Sequence, residues 1–488
     1  MKSLVVVSLT GMLWSGTGCL GAADDPDEAS ATRQLADASS FQDVVARHCD
    51  AGNRLPNNVL VADETGAFTT VSSQGFIDLD NEFFQVFGAN GRRCVTCHVP
   101  SVGWTITPRQ LQQTFEETDG GAYDDAMGLS AVFRTNDGAN SPNADVSTKA
   151  KRRQAYGMLL GRGLIRVGLA IPANAEFELV AADDPYHFAS ATELSLFRRP
   201  LPTANLKFDS TVMWDGREVV PGATVASELE TQASNAVTGH AQGKSLSAAQ
   251  RISIARFETA LASAQIYDLQ AKELYGGGAK GGPVEILVQP FYIGINDIFG
   301  DSQTGALFTP NVFTIFGRWA SADGPDAEAR RVVARGQQIF NTHPIAITGV
   351  SGINDEAVFG NPTTLMGTCT SCHDTPNGGN HSVVAPLNIG LVDASRRTSD
   401  MPLYTLRNKT TGEIVQVTDP GRAMIDGKWS HIGRFKGPML RNLAPRAPYF
   451  HNGMAADLGA VVDFYDTRFS IGFSAQEKSD LVAFLRSL

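Results

Sequence analysis

Two pentapeptides of the same pattern constrain this chain more than any other feature. Residues 94–98 read CVTCH and residues 369–373 read CTSCH, so each has two cysteines three positions apart and a histidine directly after them. On one helical turn, two such thiols can reach the two vinyl groups of one porphyrin, and the histidine then lies under its iron. The sequence therefore predicts two covalently attached c-type haems. Attachment would use Cys94, Cys97, Cys369 and Cys372, with His98 and His373 as axial ligands.

Zinc binding and redox-dithiol chemistry are the alternatives for a CxxC pair. Zinc would need further Cys or His ligands, and outside the two motifs the cysteines are Cys19 and Cys49. A disulfide framework is the usual interpretation of six cysteines in an exported chain, but the grouping into two CxxCH motifs favours haem. Cys49 has no assigned partner, and we expect it to be a free thiol.

The first residues have the pattern of an export signal. Lys2 precedes an apolar stretch from Leu4 to Trp14, and small residues then lead to Cys19. We predict a signal peptide over residues 1–19 and an acidic, flexible tether over residues 20–40. Lipid attachment at Cys19, which would anchor the chain to a membrane, and simple cleavage nearby both stay open. The expected location is the periplasm or cell envelope.

Length and charge exclude several classes of protein. At 488 residues the chain is long enough for two or three domains. The hydrophobic fraction of 42% and charged fraction of 19% are typical of a globular protein. The formal net charge is -11, without a dense run of Lys and Arg. Nucleic acid is therefore excluded as an expected partner.

Several sequence patterns predict helices between the two motifs and after the second one. Ser247 with Gln250, and Ser474 with Glu477, each form a capping box before an apolar face. A further helix is predicted from Asp326 to Phe340, after a turn-rich segment at 321–325. We therefore place a domain boundary there, with one haem domain over residues 41–324 and another over residues 325–488.

Four further segments resemble the bacterial di-haem cytochrome c peroxidase and MauG superfamily. They are WDGR at 214–217, LETQA at 229–233, LRN at 440–442 and PYFHNG at 448–453. The resemblance implies a mainly α fold of two cytochrome c-like haem domains with long loops. It also implies a peroxidatic haem in the N-terminal domain and an electron-transfer haem in the C-terminal domain.

The resemblance assigns roles to two aromatic residues. Trp214 matches a tryptophan that lies between the haems and helps electrons pass. The second ligand of the electron-transfer haem lies fourteen positions after the histidine of YFHxG, which here is Tyr465. Peroxidases of the family usually have Met at that position, whereas the MauG branch has Tyr. Met454 is the competing candidate, and a phenolate would lower the haem potential relative to a thioether.

The chain departs from the family pattern at the first haem. A catalytic Glu is expected ten positions after Gln232, but that position is Gln242, and an amide cannot exchange a proton. His240 is therefore the candidate distal acid and base, with Gln242 and Gln232 orienting peroxide. After His98 no histidine follows until His187, which predicts an iron open to substrate. The segment 135–210 is an insertion that could cover the haem edge or dock a partner.

Three functions follow as hypotheses. The first is a di-haem peroxidase that reduces hydrogen peroxide at the N-terminal haem with electrons relayed from the C-terminal haem, supplied by a small redox protein or other donor. The second is a MauG-like oxidase of a protein or organic substrate, and the third is a non-enzymatic electron carrier. The family commonly binds calcium between the domains, largely through backbone carbonyls. Arg446 stands where Thr is frequent beside that site, so calcium as a cofactor stays open.

Overall fold

The computed structural model describes Val45, His48, Cys49 and residues 52–488. The predicted signal peptide, the predicted tether and Cys19 lie outside these residues. In the described part of the chain, no helix combines the length and the apolar character that a membrane span requires.

Cys49 corrects one expectation. It is 2% exposed and disulfide-bonded rather than free. Disulfide formation depends on which segments the fold brings within reach of each other. The spacing of this cysteine in the sequence carries no such information, and the expectation of a free thiol was therefore wrong.

The structure gives bounds for ten α-helices, and the predicted caps are present. Ser247 and Ser474 both form the predicted capping boxes, and the helix predicted from Asp326 begins one residue later. The helices are α1 Pro108–Glu117, α2 Lys149–Ala155, α3 Gly157–Arg162, α4 Val225–Gly239, α5 Ala248–Ala260, α6 Pro283–Leu287, α7 Ala327–Thr342, α8 Ala423–Asp426, α9 Leu458–Phe469 and α10 Ala475–Arg486.

Thirteen strands within residues 52–488 form antiparallel sheets. The strands are β1 Arg54–Pro56, β2 Leu60–Asp63, β3 Gly66–Ser72, β4 Phe76–Asp78, β5 Ile165–Leu169, β6 Phe177–Asp183, β7 Leu194–Arg198, β8 Leu261–Asp268, β9 Lys272–Glu273, β10 Ile345–Ile347, β11 Leu365–Gly367, β12 Leu403–Asn408 and β13 Ile414–Val417. One sheet has the order β2-β3-β8-β9 and another has the order β13-β12-β6. Three further pairs are β1 with β4, β5 with β7, and β10 with β11.

The expectation of a mainly α fold is not confirmed. Helices, with the short 3-10 turns included, account for 31% of the described residues, and strands run through both halves. The centre of β3 reads FTTV, in which β-branched residues pack well on a pleated surface. Such short runs carry weak signals beside strongly capped helices, which is why the sequence overstated the helical content.

Each CxxCH motif borders its own hydrophobic core. Cys94 and Cys97 pack against a cluster that includes Phe83, Trp104 and Phe257. Cys369 packs against a second cluster, built by α7, α9, α10 and residues 271–319. Residues 271–319 precede the predicted boundary at 325 but share the core of the C-terminal helices.

The insertion joins the two halves of the molecule through a shared sheet. Strand β6, from the insertion, pairs antiparallel with β12 over six residue pairs between Phe177 and Asp183. A third core cluster lies under this sheet and contains Phe177, Leu196 and Leu406. Main-chain hydrogen bonds and a shared core therefore hold the N-terminal half against the C-terminal half.

Candidate functional site

Both pentapeptides fold into the same short turn. Cys94–Thr96 and Cys369–Ser371 each form one 3-10 turn. In the first motif, the amides of Cys97 and His98 both donate to the Cys94 carbonyl at 3.1 Å. The second motif repeats this pattern around the Cys369 carbonyl at 3.3 and 3.2 Å. The turn places both thiols of a motif beside its histidine, as attachment of one porphyrin requires.

The histidine rings are oriented by backbone carbonyls. Nδ1 of His98 lies 3.4 Å from the Trp104 carbonyl oxygen, and Nδ1 of His373 lies 2.5 Å from that of Gly379. A proton on Nδ1 that donates to a carbonyl leaves Nε2 as the atom for metal ligation. Burial lowers the pKa of both histidines to about 4, so both rings are neutral at neutral pH. Neutral imidazole is the form that ligates iron.

The four motif cysteines are free of disulfides and half-buried in mainly apolar surroundings. Burial raises the pKa of Cys97 to about 11 and those of Cys369 and Cys372 to about 12. Among the described residues, no group of three or more His, Cys, Asp or Glu side chains is arranged to hold a metal ion.

A cleft with mostly apolar walls lies over the second motif. Cys369, Cys372 and His373 line it together with Tyr465 of α9. Burial raises the pKa of the Tyr465 phenol. Met454 is half-buried and is not among the residues that line this cleft. The geometry thus brings Tyr465, and not Met454, to the same space as His373.

The lining of this cleft fits a c-type haem. Two thiols and an imidazole lie in an apolar enclosure, and Arg199, Lys436 and Arg446 line the same cleft. A haem carries two propionates, which cationic side chains would neutralise. When bound, such a haem supplies an iron that exchanges electrons and, where an axial position is open, takes peroxide.

Trp214 lies at the junction of the two halves and lines the same cleft. Its indole Nε1 donates to the Arg199 carbonyl at 2.7 Å. Its ring lies edge-on to that of His451, with centroids 6.1 Å apart, and the His451 ring stacks on Phe435 at 3.9 Å. His451 is 1% exposed. The indole is therefore held in a fixed orientation.

Buried ion pairs fix the segment that carries Trp214. The guanidinium of Arg198, at the end of β7, contacts Asp215 at 2.5 Å and Asp419 at 2.7 Å. Both carboxylates are fully buried, and Arg217 is a second partner of Asp215. Burial opposes ionisation of Asp215, but the charges of Arg198 and Arg217 hold its pKa at about 2. Because Asp419 belongs to the C-terminal half, this cluster ties WDGR to the other domain.

His240 lies at the C-cap of α4, on the first-motif side of the molecule. Its Nδ1 lies 2.6 Å from Oδ2 of Asp137, and Asp137 also pairs with Arg92. The backbone carbonyl of His240 accepts hydrogen bonds from Asn90 at 2.7 Å and from Arg92 at 2.9 Å, which lie four and two residues before Cys94. The His240 side chain is 39% exposed. A solvent-accessible imidazole with a buried carboxylate partner therefore lies close to the first haem motif.

Asp137 is ionised despite its burial. Burial alone would raise its pKa, but the charge of Arg92 and the hydrogen bond from His240 hold the pKa below its usual value. The Arg92 side chain is itself fixed by three carbonyls, those of Ala131, Val132 and His240. An ionised carboxylate on Nδ1 keeps the proton there and leaves Nε2 free to exchange one.

The two glutamines are less closely associated with His240 than Asp137 is. Gln232 is half-buried on α4, two helical turns before His240. Gln242 is exposed, adopts φ of 53° and lines a shallow surface depression with Phe87 and Lys244. In the described part of the chain neither side chain hydrogen-bonds to His240, so their role in orienting peroxide stays a prediction.

Asp137 and Arg92 are the residues that sequence reasoning missed. Arg92 stands two positions before the first motif, which is a weak signal for a role at that site. Asp137 lies in the insertion and has no motif around it. Only the fold brings it to His240.

The comparisons with known proteins define the class of protein to which this chain is similar. They confirm the resemblance to the di-haem cytochrome c peroxidase and MauG superfamily. The chain is 33% identical over 135 residues to the cytochrome-c peroxidase IdrP2 of Denitromonas iodatirespirans, covering 26% of this chain and 37% of that protein. It is 31% identical over 140 residues to IdrP1 of Pseudomonas sp. (strain SCT), covering 25% of this chain and 36% of that protein.

The matched stretch spans only about a third of the length of these relatives. A crystal structure of a MauG-like protein associated with microbial copper homeostasis is similar at 15% identity and a TM-score of 0.36, covering 84% of this chain and 86% of that one. No protein-family model matches the chain.

Proposed function

We propose that this chain is a di-haem c-type peroxidase. Hydrogen peroxide would be reduced at the haem of His98, and electrons would arrive through the haem of His373. Reduction of one peroxide to two waters consumes two electrons and two protons, so the site must deliver both. The observation that carries the proposal is the His240–Asp137 pair beside the first motif, because it supplies a proton-exchanging group where the family's carboxylate is absent.

His240 would handle the protons. Its Nε2 would accept a proton from the inner oxygen of peroxide and return one to the departing oxygen. Asp137 would hold the Nδ1 proton and stabilise the charged ring while the proton resides on His240. Since Arg92 and burial keep Asp137 fixed, the imidazole need not reorient between the two transfers.

Trp214 would carry electrons between the halves. The indole lines the cleft over the second motif, and its Nε1 donates to the Arg199 carbonyl. Neighbouring aromatic rings at His451 and Phe435 add polarizable groups along the same junction. The donor would be a small redox protein or another reductant, and the location would be the periplasm or cell envelope.

Substitution of His240 tests the proposal. In protein matured with haem, we expect His240→Ala to lower kcat/KM for peroxide by about a hundredfold or more, since general acid–base groups contribute about that factor. Asp137→Asn should reduce the rate less, because the imidazole remains. The measurement is stopped-flow oxidation of a reduced donor after addition of peroxide.

His187→Ala is the matched control, because His187 is exposed and lies outside the site. It should leave the rate unchanged. Equal rates for wild type and His240→Ala would refute the acid–base role. Unchanged haem spectra after peroxide addition to the wild type would instead favour the electron carrier.

The position of Tyr465 favours a second candidate function, that of a MauG-like oxidase. Its phenol lies in the cleft of His373 and would be a hard, anionic ligand if deprotonated. Such a ligand stabilises the oxidised iron and suits an enzyme that stores oxidising equivalents. Slow decay of the peroxide-treated protein without a donor, followed by oxidation of an organic substrate, would favour this alternative over the peroxidase.

A further inference from the structure

Two buried arginines meet where the halves of the molecule join. Arg199 is 5% exposed and Arg446 is 8% exposed, and both line the cleft over the second motif. Every hydrogen-bond acceptor that the structure gives their guanidiniums is a backbone carbonyl. Buried arginines are usually paired with carboxylates. Haem propionates would supply carboxylates on the side of the cleft, but the N–H groups that donate to carbonyls still need an explanation.

The guanidinium of Arg199 is surrounded by carbonyl oxygens from three separate segments. It donates to the carbonyl of Arg162 at 2.7 Å, to that of Ile106 at 2.8 Å and to that of Arg446 at 3.0 Å. The first two belong to the N-terminal half and the third belongs to the C-terminal half. Converging carbonyls of this kind are the surroundings in which proteins hold hard cations such as calcium.

Arg446 places a second guanidinium beside the first. It donates to the carbonyls of Met439 at 3.2 Å and Arg441 at 2.9 Å, and its Nε is buried without a partner. Burial lowers the pKa of Arg199 to about 9, and the nearby charge of Arg446 contributes to this shift. The two cations are therefore close enough to repel each other.

The backbone is shaped to admit both side chains. A Cβ on Gly163 would lie 2.6 Å from Nη1 of Arg199, and one on Gly103 would lie 2.7 Å from Cγ of Arg446. Both glycines have left-handed φ angles, of +63° and +74°. Any side chain at either position would collide with an arginine. The two glycines therefore leave the space that the Arg199 and Arg446 side chains occupy.

A calcium ion does not fit this junction as the structure has it. The Arg199 guanidinium already occupies the converging carbonyls, and the two arginines together carry the charge of one divalent cation. A further dication within about 4 Å of these charges would be strongly repelled in a buried site. We propose that Arg199 and Arg446 take the place of a calcium ion between the two haem domains, so that the junction needs no metal.

Calcium content and thermal stability of the haem-loaded wild type test this proposal without any activity measurement. We expect no bound calcium by mass spectrometry of the metals after dialysis, and the same Tm in EGTA as in millimolar calcium chloride. About one tightly bound calcium per chain, with a lower Tm in EGTA, would overturn the proposal. The result is independent of whether the protein reduces peroxide.

Arg199→Ala provides a second test, since it frees the carbonyls of Ile106, Arg162 and Arg446. We expect this variant to have a lower Tm that calcium chloride partly restores and magnesium chloride does not. Arg441→Ala is the matched control, because Arg441 is also buried and donates only to backbone carbonyls, but lies outside the converging set. It should lose stability without any response to calcium. A calcium response in both variants or in neither would contradict the assignment, and the wild-type measurement decides if Arg199→Ala fails to fold.

Discussion

At the residue scale, Glu258 of α5 gives a prediction about pH. It is 4% exposed, and its Oε2 has no hydrogen-bond partner. Burial raises its pKa to about 8. The folded protein therefore holds a proton that the unfolded chain releases near pH 4.5. This group's contribution to stability is present below that pH and is lost as pH rises to about 8, above which it changes no further. The loss is at most about 1.4 kcal/mol per pH unit.

The substitution Glu258→Gln should remove this pH-dependent loss of folding stability. We expect the variant to gain stability relative to wild type as pH rises through this window, measured as Tm at several pH values. Glu117→Gln changes an exposed carboxylate on α1 and should shift Tm by little at any pH. Parallel pH profiles for wild type and Glu258→Gln would show that Glu258 is not protonated in the folded state.

The motif residues were predictable at this scale, whereas their partners were not. The spacing of CxxCH predicts His98 and His373. Counting ten positions from Gln232 reaches Gln242, and His240 lies two residues before it. Asp137 reaches His240 only because the insertion folds back on the first motif. Contacts between segments so distant in sequence leave no local pattern in a single chain.

At the scale of elements, β12 gives a prediction about how the halves are joined. Leu406 of β12 is fully buried in the cluster under the shared sheet. Leu406→Ala should reduce the free energy of unfolding by about 2–5 kcal/mol, as expected for a core cavity. Ile414→Ala, on β13 of the same sheet, should cost about 0.5 kcal/mol or less because Ile414 is 59% exposed. Urea unfolding measures both, and equal losses would argue against a shared core.

Helices were predicted from sequence better than strands. Capping boxes at Ser247 and Ser474 are local signals, and both helices begin where those signals indicate. The first of these helices ends sooner than its apolar spacing suggests, because Leu261 continues the spacing of Ile254 and Phe257 but begins β8. Strand β6 has no local signal for its partner, since its pairing depends on residues of β12 far along the chain.

At the scale of the whole molecule, the two motifs predict the haem content. Wild-type protein matured with a cytochrome assembly system should contain two haems per chain by pyridine haemochrome absorbance. Cys97→Ala and Cys372→Ala should each reduce covalent attachment at one motif only, because the two turns lie in separate cores. Haem retained after acid-acetone extraction measures this. Loss of both haems in either variant would contradict independent attachment.

The two-part organisation can be predicted from the sequence, but the boundary between the two parts cannot. One core forms around each motif, as the separation of the motifs suggests. The predicted boundary at 325 follows a turn-rich segment, yet residues 271–319 pack with the later helices. Turn signals mark where the chain bends, whereas a domain is defined by which apolar side chains pack together.

The sheet formed by β6 and β12 also sets an order of events during biosynthesis. When the ribosome has produced β6, the strand that pairs with it is still more than two hundred residues from being made. The edge of β6 and the apolar surface beneath it stay exposed until β12 has left the ribosome. An exposed strand edge can pair with another chain, so the first half is open to association until the second half arrives.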